Sequence, residues 1–127
     1  MFAAMAGIYI HIPFCRKACH YCNFHFSTSF KMKDGMIRAI IEEAGMQSAY
    51  LNHQEIKTIY FGGGTPSALP VSDIGLILAT IRQHFIMSDE IEKTLEANPD
   101  DITPENVLAW KDVGINRLSI GIQAFQD

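Results

Sequence analysis

Ile56-Lys57-Thr58-Ile59-Tyr60-Phe61-Gly62-Gly63-Gly64-Thr65-Pro66 sets a β-branched and aromatic run against three consecutive glycines and a proline. The run favours a strand, and the glycines with Pro66 end it in a turn. Beyond the turn Ser72 stands where an N-cap belongs, and Ile74, Ile77, Leu78, Ile81 and Phe85 follow on one helical stripe. The same strand-turn-helix plan recurs on either side. Upstream, Gly7-Ile8-Tyr9-Ile10-His11-Ile12 alternates isoleucines with Tyr9 and His11, which is strand periodicity, and Pro13 ends it. A helix over Met36, Ile37, Ile40, Ile41 and Ala44 follows, with Ser29 or Asp34 as its cap and its end near Asn52. Downstream, Lys93 to Asn98 reads as a third strand, and Thr103-Pro104 as a cap and first helical position. Gly114 is the helix stop, and Arg117 to Gln123 a fourth strand. Four strands alternating with three helices through short connections predict an α/β fold with parallel pairing and right-handed crossovers.

The 127 residues carry 10 Lys plus Arg against 14 Asp plus Glu, a net charge of −4, with 48% hydrophobic residues. This is a globular composition without the basic patch that a phosphate backbone requires, so nucleic acid is not an expected partner. No apolar run approaches the ~18 residues of a membrane span, and Met1 to Ile12 lacks the basic start and apolar core of a secretory signal. Membrane association is not indicated, and the cytoplasm is the expected compartment. The strand pattern Ile120-Gly121-Ile122-Gln123-Ala124-Phe125-Gln126-Asp127 runs into the end of the chain without a closing helix, so a truncated protein is expected.

With Ile8, Ile10, Ile12, Leu118, Ile120 and Ile122 packed under helices, the opposite faces present Tyr9, His11, Glu96, Ser119 and Gln123. A sheet with only a structural role would be apolar on both sides, so this polar face reads as the lining of a site. For the second strand the alternation of Thr58 and Tyr60 against Ile59 and Phe61 leaves the inward face open. Directly after the first strand comes Cys15-Arg16-Lys17-Ala18-Cys19-His20-Tyr21-Cys22, which contains all three cysteines of the chain. An odd cluster within eight positions is a ligand set rather than a disulfide framework. Three thiolates can hold three irons of a [4Fe-4S] cube and leave the fourth iron open. The alternative is structural zinc, with His11, His20 or His25 completing a Cys3His site in a binding module.

Tyr9-Ile10-His11-Ile12-Pro13-Phe14-Cys15 and the C-x3-C-x2-C loop resemble radical S-adenosylmethionine (SAM) proteins of the oxygen-independent coproporphyrinogen III oxidase group. The triple-glycine stretch, Glu96-Ala97-Asn98-Pro99 and Ser119-Ile120-Gly121-Ile122-Gln123 extend the resemblance over essentially the whole chain. It implies a partial (β/α) barrel of the TIM type, with residues 1–127 as the N-terminal part of the radical SAM core domain. Within the group the chain is most similar to the haem-chaperone branch. The dehydrogenase branch has a fourth cysteine two residues after the third, where this chain has Phe24, and that argues against coproporphyrinogen dehydrogenase activity.

The resemblance further implies Cys15, Cys19 and Cys22 as ligands of a [4Fe-4S] cluster whose open iron takes SAM. One electron would then cleave SAM to methionine and a 5′-deoxyadenosyl radical. It implies SAM contacts from Tyr9, from Tyr21 beside the adenine, from Gly63, Gly64 and Thr65 at the methionyl end, and from Glu96 and Gln123. The implied partners are haem or porphyrin, a haem-acceptor protein and an electron donor. None of His11, His20, His25, His53 and His84 is singled out as a haem ligand.

Overall fold

The structure, a computed structural model, describes residues 7–12, 26–51 and 55–120. In chain order it comprises β1 (Gly7–Ile12), α1 (Phe26–Leu51), β2 (Glu55–Gly63), a 3-10 turn at Pro66–Ala68 and α2 (Val71–His84). β3 (Ile86–Ala97), a second 3-10 turn at Pro99–Asp101, α3 (Pro104–Val113) and β4 (Arg117–Ile120) follow. The strands lie in the order β1-β2-β3-β4, and every neighbouring pair is parallel.

One face of the sheet forms the core. Ile8, Ile10 and Ile12 of β1, Ile59 and Phe61 of β2, and Leu95 of β3 are buried against all three helices. Ile37 and Ala44 of α1, Ile74, Ile77 and Ile81 of α2, and Trp110 of α3 meet them. Each such aliphatic side chain contributes roughly 1.5–3 kcal/mol by leaving water. Sequential strand order with every helix on one side is what crossovers of a single hand produce, and it builds a barrel wall rather than a doubly wound sheet. This is the expected partial (β/α) barrel of the TIM type. The opposite face carries Tyr9, His11, Tyr60, Glu96 and Ser119.

Several boundaries differ from the sequence expectation. α1 begins at Phe26, so Ser29 and Asp34 lie inside it rather than capping it. Residues 26–33 contain neither Pro nor Gly, and a helix already nucleated propagates through them. α2 is capped by Pro70 and not by Ser72, because the extended Pro70 carbonyl accepts the Asp73 and Ile74 N–H groups at 2.9 and 3.3 Å. β3 starts seven residues before Lys93. Glu55 and Ile56 pair with Ile86 and Met87, and pairing then resumes at Thr58 with Glu92. The intervening Ser88-Asp89-Glu90-Ile91 bulges out, closed by the Glu90 N–H donating to Ser88 Oγ at 3.1 Å, and the polarity of its first three residues hid the first half of the strand. Ile120 is 50% exposed, because it sits on the edge strand and no element among the described residues covers it, whereas Leu118 packs against the core. Residues 121–123 of the expected fourth strand lie outside the described residues.

The third helix follows its signals. Thr103 Oγ1 accepts the Asn106 N–H at 3.1 Å, Pro104 opens the first turn, and Gly114 ends the helix in the left-handed region at φ 118°. Asn116 then clamps the start of β4 to β3. Its side chain accepts from Lys93 N at 2.8 Å and donates to Ile91 O at 2.9 Å.

Candidate functional site

Parallel register places equivalent residues of neighbouring strands in rows. On the open face one row is Tyr9, Tyr60, Thr94 and Arg117. The next pairs His11 with Gly62 and Glu96 with Ser119. The second row, with His11, Gly62 and Glu96, lies one residue from the C-terminal ends of β1, β2 and β3, where barrel sites collect.

Within these rows the Tyr9 and Tyr60 rings stack at 5.6 Å between centroids and 12° between planes, and Tyr9 also stacks on His11 at 6.4 Å. Gly62 makes the stack possible, because a Cβ there would lie 2.5 Å from Tyr9 Oη and 2.9 Å from the Tyr60 ring. Tyr60 Oη donates to Glu96 Oε2 at 2.8 Å, and the Gly63 N–H reaches Glu96 Oε1 at 3.2 Å. A hydrogen bond with Ser119 draws the Tyr60 pKa down. Burial, the bond to Glu96, the Glu96 charge and Tyr9 together outweigh it and raise the phenol above its ordinary value. Tyr60 is therefore protonated at neutral pH and donates to the carboxylate.

The glycine turn does more than shorten a connection. Gly63 has φ +109°, and a Cβ on it would lie 2.7 Å from Ile12 O, where only glycine fits. The Gly64 N–H donates to that same Ile12 carbonyl at 2.6 Å. The end of β2 is thereby stitched to the last residue of β1, three positions before Cys15. A second joint lies just beyond, where Ser67 Oγ donates to the buried Asp101 Oδ2 at 2.7 Å and accepts the Asn98 N–H at 3.0 Å. Asn106 Nδ2 adds a bond to Asp101 O at 2.7 Å. The turn after the glycines and the turn after Glu96 are locked to each other through this polar core.

Of the residues expected from sequence, Tyr9, Gly63, Gly64 and Glu96 come together at one end of the open face. Thr65 continues the same turn, and its side chain makes no capping bond. Cys15, Cys19, Cys22, Tyr21, Phe24 and Gln123 lie outside the described residues. Among the described residues no cluster of three His, Cys, Asp or Glu could hold a metal. None of their helices is long and apolar enough to cross a membrane. Tyr60, which bonds Glu96 and stacks on Tyr9, was not among the residues that sequence reasoning singled out. Its signal was the alternation of Thr58 and Tyr60 against Ile59 and Phe61, which becomes decisive only once β1 fixes which face is covered.

The donor set fits SAM. Glu96 offers an acceptor to an ammonium or ribose hydroxyls, Tyr9 is 43% exposed and offers an aromatic surface, and Gly63 and Gly64 expose backbone.

Comparison with known proteins agrees with this fold. The heme chaperone HemW of Synechocystis sp. is 39% identical over 124 residues, which is 94% of this chain and 30% of that protein. HemW of Bacillus subtilis is 37% identical over 125 residues, 97% of this chain and 33% of its own length. The chain thus spans about a third of the length of the curated relatives it matches. Among solved structures, the coproporphyrinogen III oxidase HemN from Escherichia coli, described as a radical SAM enzyme, superposes with a TM-score of 0.75 at 26% identity. The match covers 92% of this chain and 27% of that one. The radical SAM superfamily model itself matches residues 9–127, from the first strand through the cysteine loop to the end, and the chain belongs to that superfamily.

Proposed function

We propose that this chain supplies the cluster- and SAM-binding part, residues 1–127, of a haem chaperone of the HemW kind. Membership of the superfamily implies SAM and an iron–sulfur cluster. In this reading Cys15, Cys19 and Cys22 hold a [4Fe-4S] cluster, and Tyr9, Tyr21, Gly63, Gly64, Thr65, Glu96 and Gln123 surround SAM. Haem is bound and passed to an acceptor protein, with a separate electron donor. Together the cluster and SAM supply one-electron chemistry, and the chain's own residues bind, orient and shield them. A cytoplasmic setting, which keeps such thiolates reduced, belongs to the same reading.

The observation that carries the SAM site is the Glu96 carboxylate, held between the Tyr60 hydroxyl and the Gly63 N–H beside an exposed aromatic stack. The haem-chaperone side is supported by the identity to HemW proteins and by Phe24 in place of a fourth cysteine. The structural likeness to HemN favours a second reading, coproporphyrinogen dehydrogenase.

Anaerobic reconstitution of the intact protein tests the assignment. Iron and sulfide near four each per chain, with an electron paramagnetic resonance spectrum altered by SAM, are expected. One zinc per chain, or a spectrum indifferent to SAM, would overturn it. Oxidation of coproporphyrinogen III with SAM turnover would replace the chaperone by the dehydrogenase.

A further inference from the structure

Glu96 stands one residue from the end of β3, where an isolated glutamate would move among rotamers and face water. Here each carboxylate oxygen has its own donor. Oε2 accepts from Tyr60 Oη at 2.8 Å, and Oε1 accepts from the Gly63 N–H at 3.2 Å. A carboxylate offers about four lone-pair positions, so two donors fix its plane and leave acceptor capacity on both oxygens. The Tyr60 ring in turn is clamped against Tyr9 at 5.6 Å, and that contact depends on the missing Gly62 side chain. Tyr9 and Glu96, on β1 and β3, have no neighbouring strand in common except β2, and Tyr60 is the β2 residue that touches both.

We infer that Tyr60 is a positioning residue for SAM: its hydroxyl orients the Glu96 carboxylate toward the ligand while its ring aligns Tyr9. Tyr60 itself need not touch SAM. It converts two separate strand-end side chains into one preorganised surface, so that less rotamer freedom is lost when the ligand arrives. The inference rests on the SAM site proposed above and deepens it by assigning the Tyr60 hydroxyl and ring a role toward the ligand.

Tyr60→Phe is the test, because it keeps the ring and its stack and removes only the hydroxyl. SAM dissociation constants are measured by equilibrium dialysis on the reconstituted intact protein, for the wild type, Tyr60→Phe, Glu96→Gln and the double variant. Melting temperature and iron content are recorded alongside. Tyr60→Phe is expected to weaken SAM binding roughly tenfold, the order set by one hydrogen bond to a charged group. Melting temperature and iron content should stay near wild type. The double variant should bind no more weakly than Glu96→Gln alone, because the two groups act as a unit. A purely structural tyrosine would lower the melting temperature and leave the cycle additive. Wild-type affinity in Tyr60→Phe, or additive losses in the double variant, would overturn the inference and leave the SAM site standing. Failure of the wild-type protein to bind SAM would overturn the site itself.

Discussion

Gly62 and Gly63 are adjacent and need to be glycine for different reasons. At Gly62 the constraint is a neighbour, since a Cβ would displace the Tyr9 phenol and the edge of the Tyr60 ring. At Gly63 the constraint is the backbone, with φ +109° and the Ile12 carbonyl in the way. Gly62→Ala is therefore expected to push Tyr9 out of its stack and weaken SAM binding. Gly63→Ala should cost about 1–2 kcal/mol in left-handed strain before the clash with Ile12 is counted. Gly35 provides the opposite sign, because it sits within α1 with nothing within 4 Å of an added Cβ. Gly35→Ala should stabilise by about 0.5–1 kcal/mol. Urea denaturation of the three variants checks the stability claims, and a Gly63→Ala protein as stable as wild type would contradict the strain assigned to that turn.

Elements are held in place by a few polar joints. Lys33 Nζ on α1 meets Asp73 Oδ2 on α2 at 2.7 Å, and the neighbouring Asp34 at 3.2 Å. The Asp73 hydrogen bond comes first among the influences on Lys33 and, despite the opposing effect of burial, its pKa is raised above the usual 10.5. The folded state therefore holds this proton more tightly. The stability it contributes is complete below pH 10.5 and is lost as pH rises through the higher folded-state value. Lys33→Met should cost about 1 kcal/mol or less at neutral pH and flatten that part of the alkaline limb, as read from denaturation at pH 8 and pH 11. The Ser67–Asp101–Asn98 joint is more deeply buried. Ser67→Ala removes a donor from Asp101 and an acceptor from Asn98, for an expected cost of about 1–3 kcal/mol. A loss of SAM affinity should accompany it, because the glycine turn and the Glu96 turn are no longer locked together. Calorimetric melting and dialysis read the two effects separately.

Across the whole molecule the sheet divides its work by face. The helix-covered face carries stability: Ile59→Ala, at a fully buried position in β2, should cost about 2–5 kcal/mol. In the proposed reading the open face takes the ligand, so Tyr9→Ala, at a position 43% exposed, should alter stability far less and weaken SAM binding instead. A Tyr9→Ala protein that melts as early as Ile59→Ala would show that the open face is part of the core, and the division would fail.

Much of this was legible in the chain. The alternation in Gly7–Ile12, the stripe Ile74-Ile77-Leu78-Ile81 and the signals Thr103-Pro104 and Gly114 determined elements, order and parallel topology, because each depends on local periodicity or a local backbone requirement. The resemblance carried by the cysteine loop, the triple glycine and Glu96 pointed to the family, which the superfamily match bears out, and supplied the residues proposed to surround SAM. The tertiary structure alone decided the rest. The first half of β3 was hidden by Ser88-Asp89-Glu90 in the bulge, whose polarity mimics a loop, and only pairing of Glu55 and Ile56 with Ile86 and Met87 reveals it. Tyr60 could not be assigned to a face from β2 alone, because a strand carrying side chains of both kinds takes its orientation from its neighbours. The Ser67–Asp101 and Tyr60–Glu96 bonds join residues 34 and 36 positions apart. Such pairs have no sequence signature, since it is the crossover of each strand-helix-strand unit between parallel neighbours that brings them within hydrogen-bonding distance.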